Sequence, residues 1–288
     1  MPPAQAPPAS TDGAPMLSAL HVFTTPGRLQ NSWVDAVAAE LAAAESAQRP
    51  VPRPSLHYPG LTLDRAYQVQ AATVAERVLR GARVVGHKVG LTSAAMQQQI
   101  GVDQPDSGVL LDSMVLSSGS RLRRDELIQP RVEAEIAFRL GQPLSGSDVD
   151  ADAARQAVAE VLLALEVIDT RYDDWRLTLE DSVADNAAAA RAVLGTPVPL
   201  NTVPSLAEEL VSVRVNGQTV AAAPGAAVLG NPLNAVAWLA RRLHGIGGGL
   251  RAGDLVLAGS VHASLPLTPA THIEAASPSL PPVSLRVV

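Results

Sequence analysis

The chain of 288 residues contains no cysteine, which excludes disulfides, thiolate metal ligands and a cysteine nucleophile. Aromatic residues make up only 3% of it, too few for platforms that stack nucleic-acid bases. The net charge is −6 and no long basic run occurs, so we expect no nucleic-acid partner. No apolar run reaches the length of a membrane span, and the N-terminus lacks the pattern of a signal peptide. We therefore expect a cytoplasmic protein without a membrane partner.

Proline content and apolar periodicity divide the chain into a tail and a body. Residues 1–30 begin with proline, alanine and polar residues, which predicts a disordered or poorly ordered tail. We expect residues 31–288 to form one catalytic domain, helical over 31–83 and β-rich over 84–288. This distribution predicts an α+β fold built on a mixed β-sandwich or roll, with an N-terminal helical part.

Local signals predict the individual elements. Asn216-Gly217 between two apolar segments, 211–215 and 219–222, is the strongest hairpin signal. Residues 49–59 are rich in proline and read as a surface linker. The other predicted elements are helices over residues 31–48, 63–80, 92–100, 148–158 and 232–243, and strands over residues 84–89, 131–140, 161–169, 175–178, 255–258 and 283–288.

Three glutamates occupy unusual positions in these strands. Side chains alternate along a strand, so Glu133 and Glu135 share one face of the strand 131–140. Glu166 lies inside the apolar run 161–169, where a carboxylate is unfavourable unless it is paired or binds a metal. Three convergent carboxylates in a chain without cysteine favour a hard divalent cation, Mg²⁺ or Mn²⁺.

Structural alternatives exist for each glutamate. Glu133 and Glu135 are also compatible with a solvated strand face on which Arg131 and Arg139 are their ion-pair partners. Glu166 is also compatible with a structural ion pair to Arg171. The three acids taken together favour the metal site over these readings.

A second group of candidates lies in Gly86-His87-Lys88-Val89-Gly90. The glycines allow a ligand close approach, so Lys88 is a candidate to bind a carboxylate, or to transfer protons if its pKa is depressed. An ordinary surface lysine is the alternative. His87 faces the opposite way along the strand and is a weaker candidate.

Short polar segments supply the remaining candidates. Asp103 and Asp106 lie in a turn-rich loop, where aspartate often serves the backbone through Asx-type hydrogen bonds. For the segment 181–186 we favour helix capping or loop structure over ligand binding. Ser260 follows Gly259 at a strand end, a position typical of ligand contacts but also of turns.

Several motifs occur in one order along residues 32–288 and together resemble one family. It is the hydratase/decarboxylase branch of the fumarylacetoacetase-like superfamily, which includes 2-keto-4-pentenoate hydratase, 2-oxohept-3-ene-1,7-dioate hydratase and 4-oxalocrotonate decarboxylase. The motifs are Gly-His-Lys-Val-Gly-Leu-Thr-Ser at 86–93, Gly-Val-Asp-Gln-Pro-Asp at 101–106, Pro-Arg-Val-Glu-Ala-Glu-Ile-Ala-Phe at 130–138, Ala-Leu-Glu-Val-Ile-Asp at 164–169, Ala-Asp-Asn-Ala at 184–187 and Leu-Ala-Gly-Ser at 257–260.

The resemblance implies a fold of the fumarylacetoacetase C-terminal type and assigns roles to residues of this chain. The sequence departs from the family pattern at Ser107, at Ala188 and over residues 268–282. The implied roles are metal ligands for Glu133, Glu135 and Glu166, catalysis for Lys88 and Asp106, and substrate contacts for Leu91 and Ser260.

The resemblance also implies an activity. The expected reaction is the addition of water to a 2-hydroxy-2,4-dienoate, with Mg²⁺ or Mn²⁺, to give a 4-hydroxy-2-oxo acid in the meta-cleavage catabolism of aromatic compounds or steroids. Two alternatives stay open: a 2-oxo-3-hexenedioate (4-oxalocrotonate) decarboxylase, and a non-catalytic partner subunit of such an enzyme. We expect a homo-oligomer with a small 2-oxo acid substrate, and association with a pathway decarboxylase or aldolase is left open.

Overall fold

The computed structural model describes residues 32–93, 97 and 102–288. The tail predicted for residues 1–30 lies outside the described residues, and so does most of the helix predicted over 92–100. Within the described ranges, no helix is both long and apolar enough to cross a membrane.

The N-terminal part is helical: α1 (Ser32–Ala47), α2 (Pro54–His57) and α3 (Leu63–Leu79). The side chain of Thr62 caps α3 by accepting the amide of Arg65, and Gly81 follows the helix with φ +103°. The linker predicted over residues 49–59 contains α2, because proline suits the first turn of a helix. The buried apolar faces of α1 and α3 pack against each other and against residues 172–184.

The rest of the described chain is rich in strands, with three further α-helices between them. The helices are α4 (Ala151–Ala157), α5 (Leu179–Ala184) and α6 (Pro232–Gly245). The strands are β1 (Val84–Gly90), β2 (Asp106–Leu111), β3 (Val115–Ser117), β4 (Ser120–Leu122), β5 (Arg131–Leu140), β6 (Val158–Ile168), β7 (Ala189–Leu194), β8 (Val198–Pro199), β9 (Leu210–Val215), β10 (Gln218–Pro224), β11 (Leu255–Ser260), β12 (Leu265–Pro266), β13 (His272–Ala276) and β14 (Val283–Val287).

The strands of the described chain form two sheets. The larger has nine strands, along the path β2-β1-β11-β5-β6-β7-β3, with β12 added beside β5 and β8 beside β6. The smaller has five strands in the order β10-β9-β13-β14-β4. Apolar side chains of β5 and β6 share one core with those of β9, β13 and β14, so the two sheets pack face to face. The predicted α+β class with a mixed β-sandwich and an N-terminal helical part is confirmed.

The hairpin predicted at Asn216-Gly217 is confirmed as the β9–β10 turn. Both residues have positive φ, 50° and 83°, as the tight hairpin turn requires. The helix predicted over 148–158 begins later, because Asp150 caps it by accepting the amide of Ala153. The strand predicted over 175–178 is wrong. These residues form a bend and loop that lead to Thr178, the N-cap of α5.

Candidate active site

The larger sheet brings the three glutamates together. Glu133 on β5 lies directly opposite Glu166 on β6, and Glu135 follows on the same face of β5. One carboxylate oxygen from each residue lies within 4.8 Å of the other two. Glu135 and Glu166 are fully buried and Glu133 is partly exposed. The reading of a solvated strand face is therefore wrong for Glu135.

Two of the three arginines proposed as partners of these glutamates, Arg139 and Arg171, pair elsewhere. Arg139 lies 3.3 Å from Glu160 at the protein surface. Arg171 lies 2.5 Å from Asp185 in a buried ion pair, so a pair between Glu166 and Arg171 is also wrong. Neither arginine therefore compensates the charge of the acid cluster.

The carboxylate oxygens of the cluster are largely unpaired. Within the described part of the chain, neither oxygen of Glu166 nor Oε1 of Glu135 has a hydrogen-bond partner. Oε2 of Glu135 accepts the backbone N–H of Gly259 at 2.7 Å. Buried polar atoms without partners are rare in proteins, and a hard divalent cation with oxygen ligands would satisfy these. The donor set thus fits Mg²⁺ or Mn²⁺.

The pKa values of the three glutamates are raised, which also indicates a site for a cation. Burial raises the pKa of Glu133 to about 7, and Lys88 partly opposes that shift. Burial and repulsion from Glu166 and Glu133 raise the pKa of Glu135 well above its usual value. Burial also raises the pKa of Glu166, again against the effect of Lys88. A bound cation would reverse these shifts by stabilising the ionised carboxylates.

Lys88 lies inside the cluster, so the surface-lysine alternative is wrong. It is 4% exposed, its Nζ is 3.3 Å from Oε2 of Glu166, and it donates a 2.9 Å hydrogen bond to the carbonyl of Ala187. Burial by itself would lower the pKa of Lys88, but Glu166, Asp106 and the other acids together raise it. The depressed pKa considered for proton transfer is therefore not found.

Lys88 is also the one lysine of the chain, whose 22 basic residues are otherwise all arginine. An ammonium group is a compact cation with three rotatable donors, whereas a guanidinium is a larger planar fork. The composition therefore singles out this position, a signal that the local motif alone does not carry.

A left-handed turn supplies the carbonyl that Lys88 contacts. Asn186, Ala187 and Ala188 have φ values of 55°, 51° and 56°, a conformation that is unfavourable for residues with a side chain. The side chain of Asn186 holds the turn by bonding both the N–H and the carbonyl of Val109, at 2.8 and 2.9 Å. Backbone strain is thus concentrated beside the cluster.

Asp106 is the first residue of β2 and lies opposite Gly90, rather than in a loop as predicted. Its Oδ2 accepts a 2.6 Å hydrogen bond from the hydroxyl of Ser182, while Oδ1 is buried without a partner among the described residues. A Cβ at Gly90 would collide with Oδ1 and lie 3.3 Å from Nζ of Lys88. Gly90 therefore leaves open the space that the two side chains share.

The three remaining candidates, Ser260, Leu91 and Asp103, are not members of the acid cluster. Ser260 ends β11 opposite Glu135, and its hydroxyl donates to the carbonyl of His262 at 2.6 Å. Leu91 follows β1 with φ +55° and packs against the N-terminal helices. Asp103 is exposed and outside the acid cluster.

Sequence reasoning missed three groups at the site. They are the hydroxyl of Ser182, the carbonyl of Ala187 and the amide of Gly259. The backbone groups carry no signal in the residue type. Ser182 lies in the segment expected to cap a helix, and only the packing of α5 beside β2 shows what it contacts.

His87 gives a pH-dependent prediction. Burial, followed by repulsion from Arg242 and Arg251, lowers the pKa of His87 to about 4. In the unfolded chain the pKa of a histidine is about 6.5. At pH values between about 4 and about 6.5, His87 is therefore protonated in the unfolded chain but neutral in the folded chain. Stability is thus present above this window and is lost as the pH falls through it.

Because of His87, we expect the free energy of unfolding to be about 2 kcal/mol lower at pH 5 than at pH 7, at ~1.4 kcal/mol per pH unit below the unfolded pKa. In His87→Gln this contribution should be absent. Urea denaturation of both proteins at both pH values measures the difference. Equal pH dependence of the two proteins would show that His87 does not titrate in this way.

Comparison with known proteins identifies several similar chains. The family described as fumarylacetoacetate (FAA) hydrolase C-terminal matches residues 83–288. A 2-keto-4-pentenoate hydratase of Paraburkholderia xenovorans (strain LB400) is 42% identical over 219 residues, which cover 75% of this chain and 81% of the relative. A 2-hydroxyhexa-2,4-dienoate hydratase of Comamonas testosteroni is 38% identical over 216 residues, covering 74% and 81%.

Solved structures show the same fold. A 4-oxalocrotonate decarboxylase from Pseudomonas putida G7, solved with magnesium and adipate, has a TM-score of 0.87 and 33% identity and covers 91% of this chain and 99% of its own. A fumarylpyruvate hydrolase from Pseudomonas aeruginosa, solved with Mn²⁺ and pyruvate, has a TM-score of 0.58 and 21% identity, with 70% and 88% covered. The second likeness concerns the fold alone.

Proposed function

This chain belongs to the FAA hydrolase C-terminal family, and we propose that it is a metal-dependent hydratase. The reaction adds water to a 2-hydroxy-2,4-dienoate and gives a 4-hydroxy-2-oxo acid, in the meta-cleavage catabolism of aromatic compounds or steroids. The observation that carries the proposal is the convergence of three glutamates, two of them fully buried, beside Lys88. The hydratases that are about 40% identical to most of this chain support it.

The metal would be held by Glu133, Glu135 and Glu166, whose carboxylate oxygens converge, and of which Glu135 and Glu166 have buried oxygens without a hydrogen-bond partner among the described residues. Mg²⁺ or Mn²⁺ bound there would supply Lewis-acid polarisation of the oxygen atoms of a 2-oxo acid. The decarboxylase solved with magnesium supports this choice of ion.

We propose that Lys88 binds and orients the substrate. An ammonium group has three N–H donors, of which one is directed to the Ala187 carbonyl and one faces Glu166. The third is available for a substrate carboxylate or for an oxygen that gains negative charge during the reaction. Because its pKa is raised, Lys88 serves as a charged donor rather than as a base.

We propose that Asp106 is the proton acceptor, through its unpaired Oδ1. It takes a proton from the substrate hydroxyl as the dienol becomes a 2-oxo acid, and the carbon chain gains a proton in exchange. Water then contributes OH to C4 and H to C3, so one water is consumed overall. Leu91 and Ser260 are proposed to contact the substrate beside these groups.

Decarboxylation is the second candidate reaction, and one observation favours it. Arg131 lies two residues before Glu133 on the same face of β5, and its buried Nε has no hydrogen-bond partner in the described chain. The rest of its guanidinium donates to Ser264 and lies over the ring of Trp175. A second substrate carboxylate needs such a cation. The similarity to the decarboxylase fold supports this candidate too.

One absorbance assay tests the proposal. The chelated protein is mixed with 2-hydroxypenta-2,4-dienoate or with 2-oxohex-3-enedioate, and Mg²⁺ or Mn²⁺ is then added. We expect metal-dependent loss of the dienoate signal, faster than turnover of the dicarboxylate. The reverse preference would identify a decarboxylase. Metal binding without turnover of either compound would identify a non-catalytic partner subunit.

The proposal extends to the domain organisation, the location and the oligomeric state of the enzyme. We propose that residues 31–288 form one catalytic domain that works in the cytoplasm as a homo-oligomer, alone or with a pathway decarboxylase or aldolase. The mass of the purified protein in solution, measured by light scattering with and without such a partner, separates these arrangements.

A further inference from the structure

We propose that Ser182 is a positioning residue that keeps the carboxylate of Asp106 in its reactive orientation; this role rests on the proposed hydratase function. The hydroxyl of Ser182 donates to Oδ2 of Asp106 at 2.6 Å, the distance of a strong bond to a carboxylate. Oδ1 of the same carboxylate is buried and unpaired. One oxygen is therefore held by the protein, and the other stays available to the substrate.

The first turn of the short helix α5 is fixed from outside, which fixes Ser182 as well. Asp181 and Thr178 form a capping box at its start. The carboxylate of Asp181 also accepts the amide and the hydroxyl of Ser55, at 3.0 and 2.7 Å. A helix of this length would not hold its position alone, so these bonds set the place of the Ser182 hydroxyl.

The other end of α5 is anchored independently. Asp185 accepts hydrogen bonds from the guanidinium of Arg171 at 2.5 Å and from the hydroxyl of Thr170 at 2.9 Å. Ser182 thus lies between two anchored ends, one residue after Asp181. The segment was expected to have a capping role, and Asp181 has that role, whereas Ser182 faces the candidate site.

The carboxylate of Asp106 has a competing partner that makes this restraint necessary. The side chains of Asp106 and Lys88 share the space above Gly90, where a Cβ would lie within 3.3 Å of both Oδ1 of Asp106 and Nζ of Lys88. Without the Ser182 hydroxyl, attraction would turn the carboxylate toward the ammonium group. Oδ1 would then be paired with Lys88 and lost as a proton acceptor.

Kinetics with matched variants test the role. We expect Ser182→Ala to lower kcat about 10- to 100-fold with KM changed less than about twofold, because an orientation needed in the transition state is lost. Ser182→Thr keeps the hydroxyl and should retain most of kcat. In an Asp106→Asn background, Ser182→Ala should lower kcat by less than about twofold more, because the two residues act as a unit.

Ser55→Ala is the matched control, since it also removes a serine hydroxyl from a carboxylate, that of Asp181 at the contact between α2 and α5, but leaves Asp106 untouched. We expect its kcat to stay near that of the wild type, because the backbone amide of residue 55 and the capping box with Thr178 still hold Asp181 in place. An equal loss of kcat in Ser55→Ala, or full additivity in the Asp106→Asn background, would assign the effect to helix anchoring and overturn the proposal.

A crystal structure of Ser182→Ala decides the question without turnover. We expect the Asp106 carboxylate to be rotated toward Lys88, whereas a carboxylate in its original orientation would overturn the proposal. An inactive wild-type protein would reject the hydratase function, yet the rotation would still be measurable. The two failures are therefore distinguishable.

Discussion

Glu135→Gln is expected to abolish divalent metal binding and turnover while raising the melting temperature of the metal-free protein. Glutamine removes one of three carboxylates whose oxygens converge within 4.8 Å, and its amide oxygen can still accept the N–H of Gly259. The raised pKa of Glu135 means that its ionised form destabilises the fold at neutral pH. Without the cation, Glu135→Gln is therefore expected to be more stable than the wild type.

Calorimetric titration with Mn²⁺, the dienoate assay and thermal melts in EDTA measure the three effects. Glu160→Gln is the control, because it makes the same change on β6 in a residue that pairs with Arg139 at the surface. We expect that control to bind Mn²⁺ and to turn over like the wild type. Wild-type Mn²⁺ affinity in Glu135→Gln would reject the metal site.

Lys88→Met is expected to lower kcat about 10³-fold, or ~4 kcal/mol, and to leave Mn²⁺ affinity largely intact. Methionine fills a similar volume but cannot donate to the substrate, and Lys88 is not a member of the metal-binding set. Lys88→Arg should not restore the rate fully. The buried ammonium group already lies 2.9 Å from the carbonyl of Ala187 and 3.3 Å from Glu166, so a larger planar guanidinium cannot take its place without displacing one of them.

Arg139→Met provides the control for Lys88→Met, since it removes a basic residue that pairs with a glutamate at the surface instead of in the cluster. Its kcat should equal that of the wild type. Steady-state kinetics and Mn²⁺ titration of both variants complete the comparison. If Lys88→Met kept the wild-type kcat/KM, Lys88 would be a structural partner of Glu166 only.

The parts of the fold that sequence predicts well have a strong local cause. The alternation along residues 131–140 fixes which side chains share a face, and β5 has those bounds. Asn216-Gly217 specifies a hairpin because both residues tolerate positive φ. A carboxylate within the apolar run 161–169 likewise indicates a special environment for Glu166, which the structure places opposite Glu133.

The parts that sequence does not predict depend on tertiary partners. Arg171 looked like a partner for Glu166, but its choice of Asp185 depends on where α5 packs. Lys88 meets Glu166 only because β1 and β6 lie on the same sheet, separated by β11 and β5. Nothing local reveals the loop at residues 175–178, whose tryptophan bonds the distant carbonyl of Gln129. Long-range pairing decides each of these cases.

The burial of the one lysine has a practical consequence for labelling this protein. Amine-reactive dyes and cross-linkers attack an unprotonated, accessible amine, and the Lys88 amine is charged and 4% exposed. No other side chain of the sequence carries an aliphatic amine, since Lys88 is its one lysine. Side-chain labelling by such a reagent would therefore report the exposure of Lys88, and with it the opening of the acid cluster to solvent.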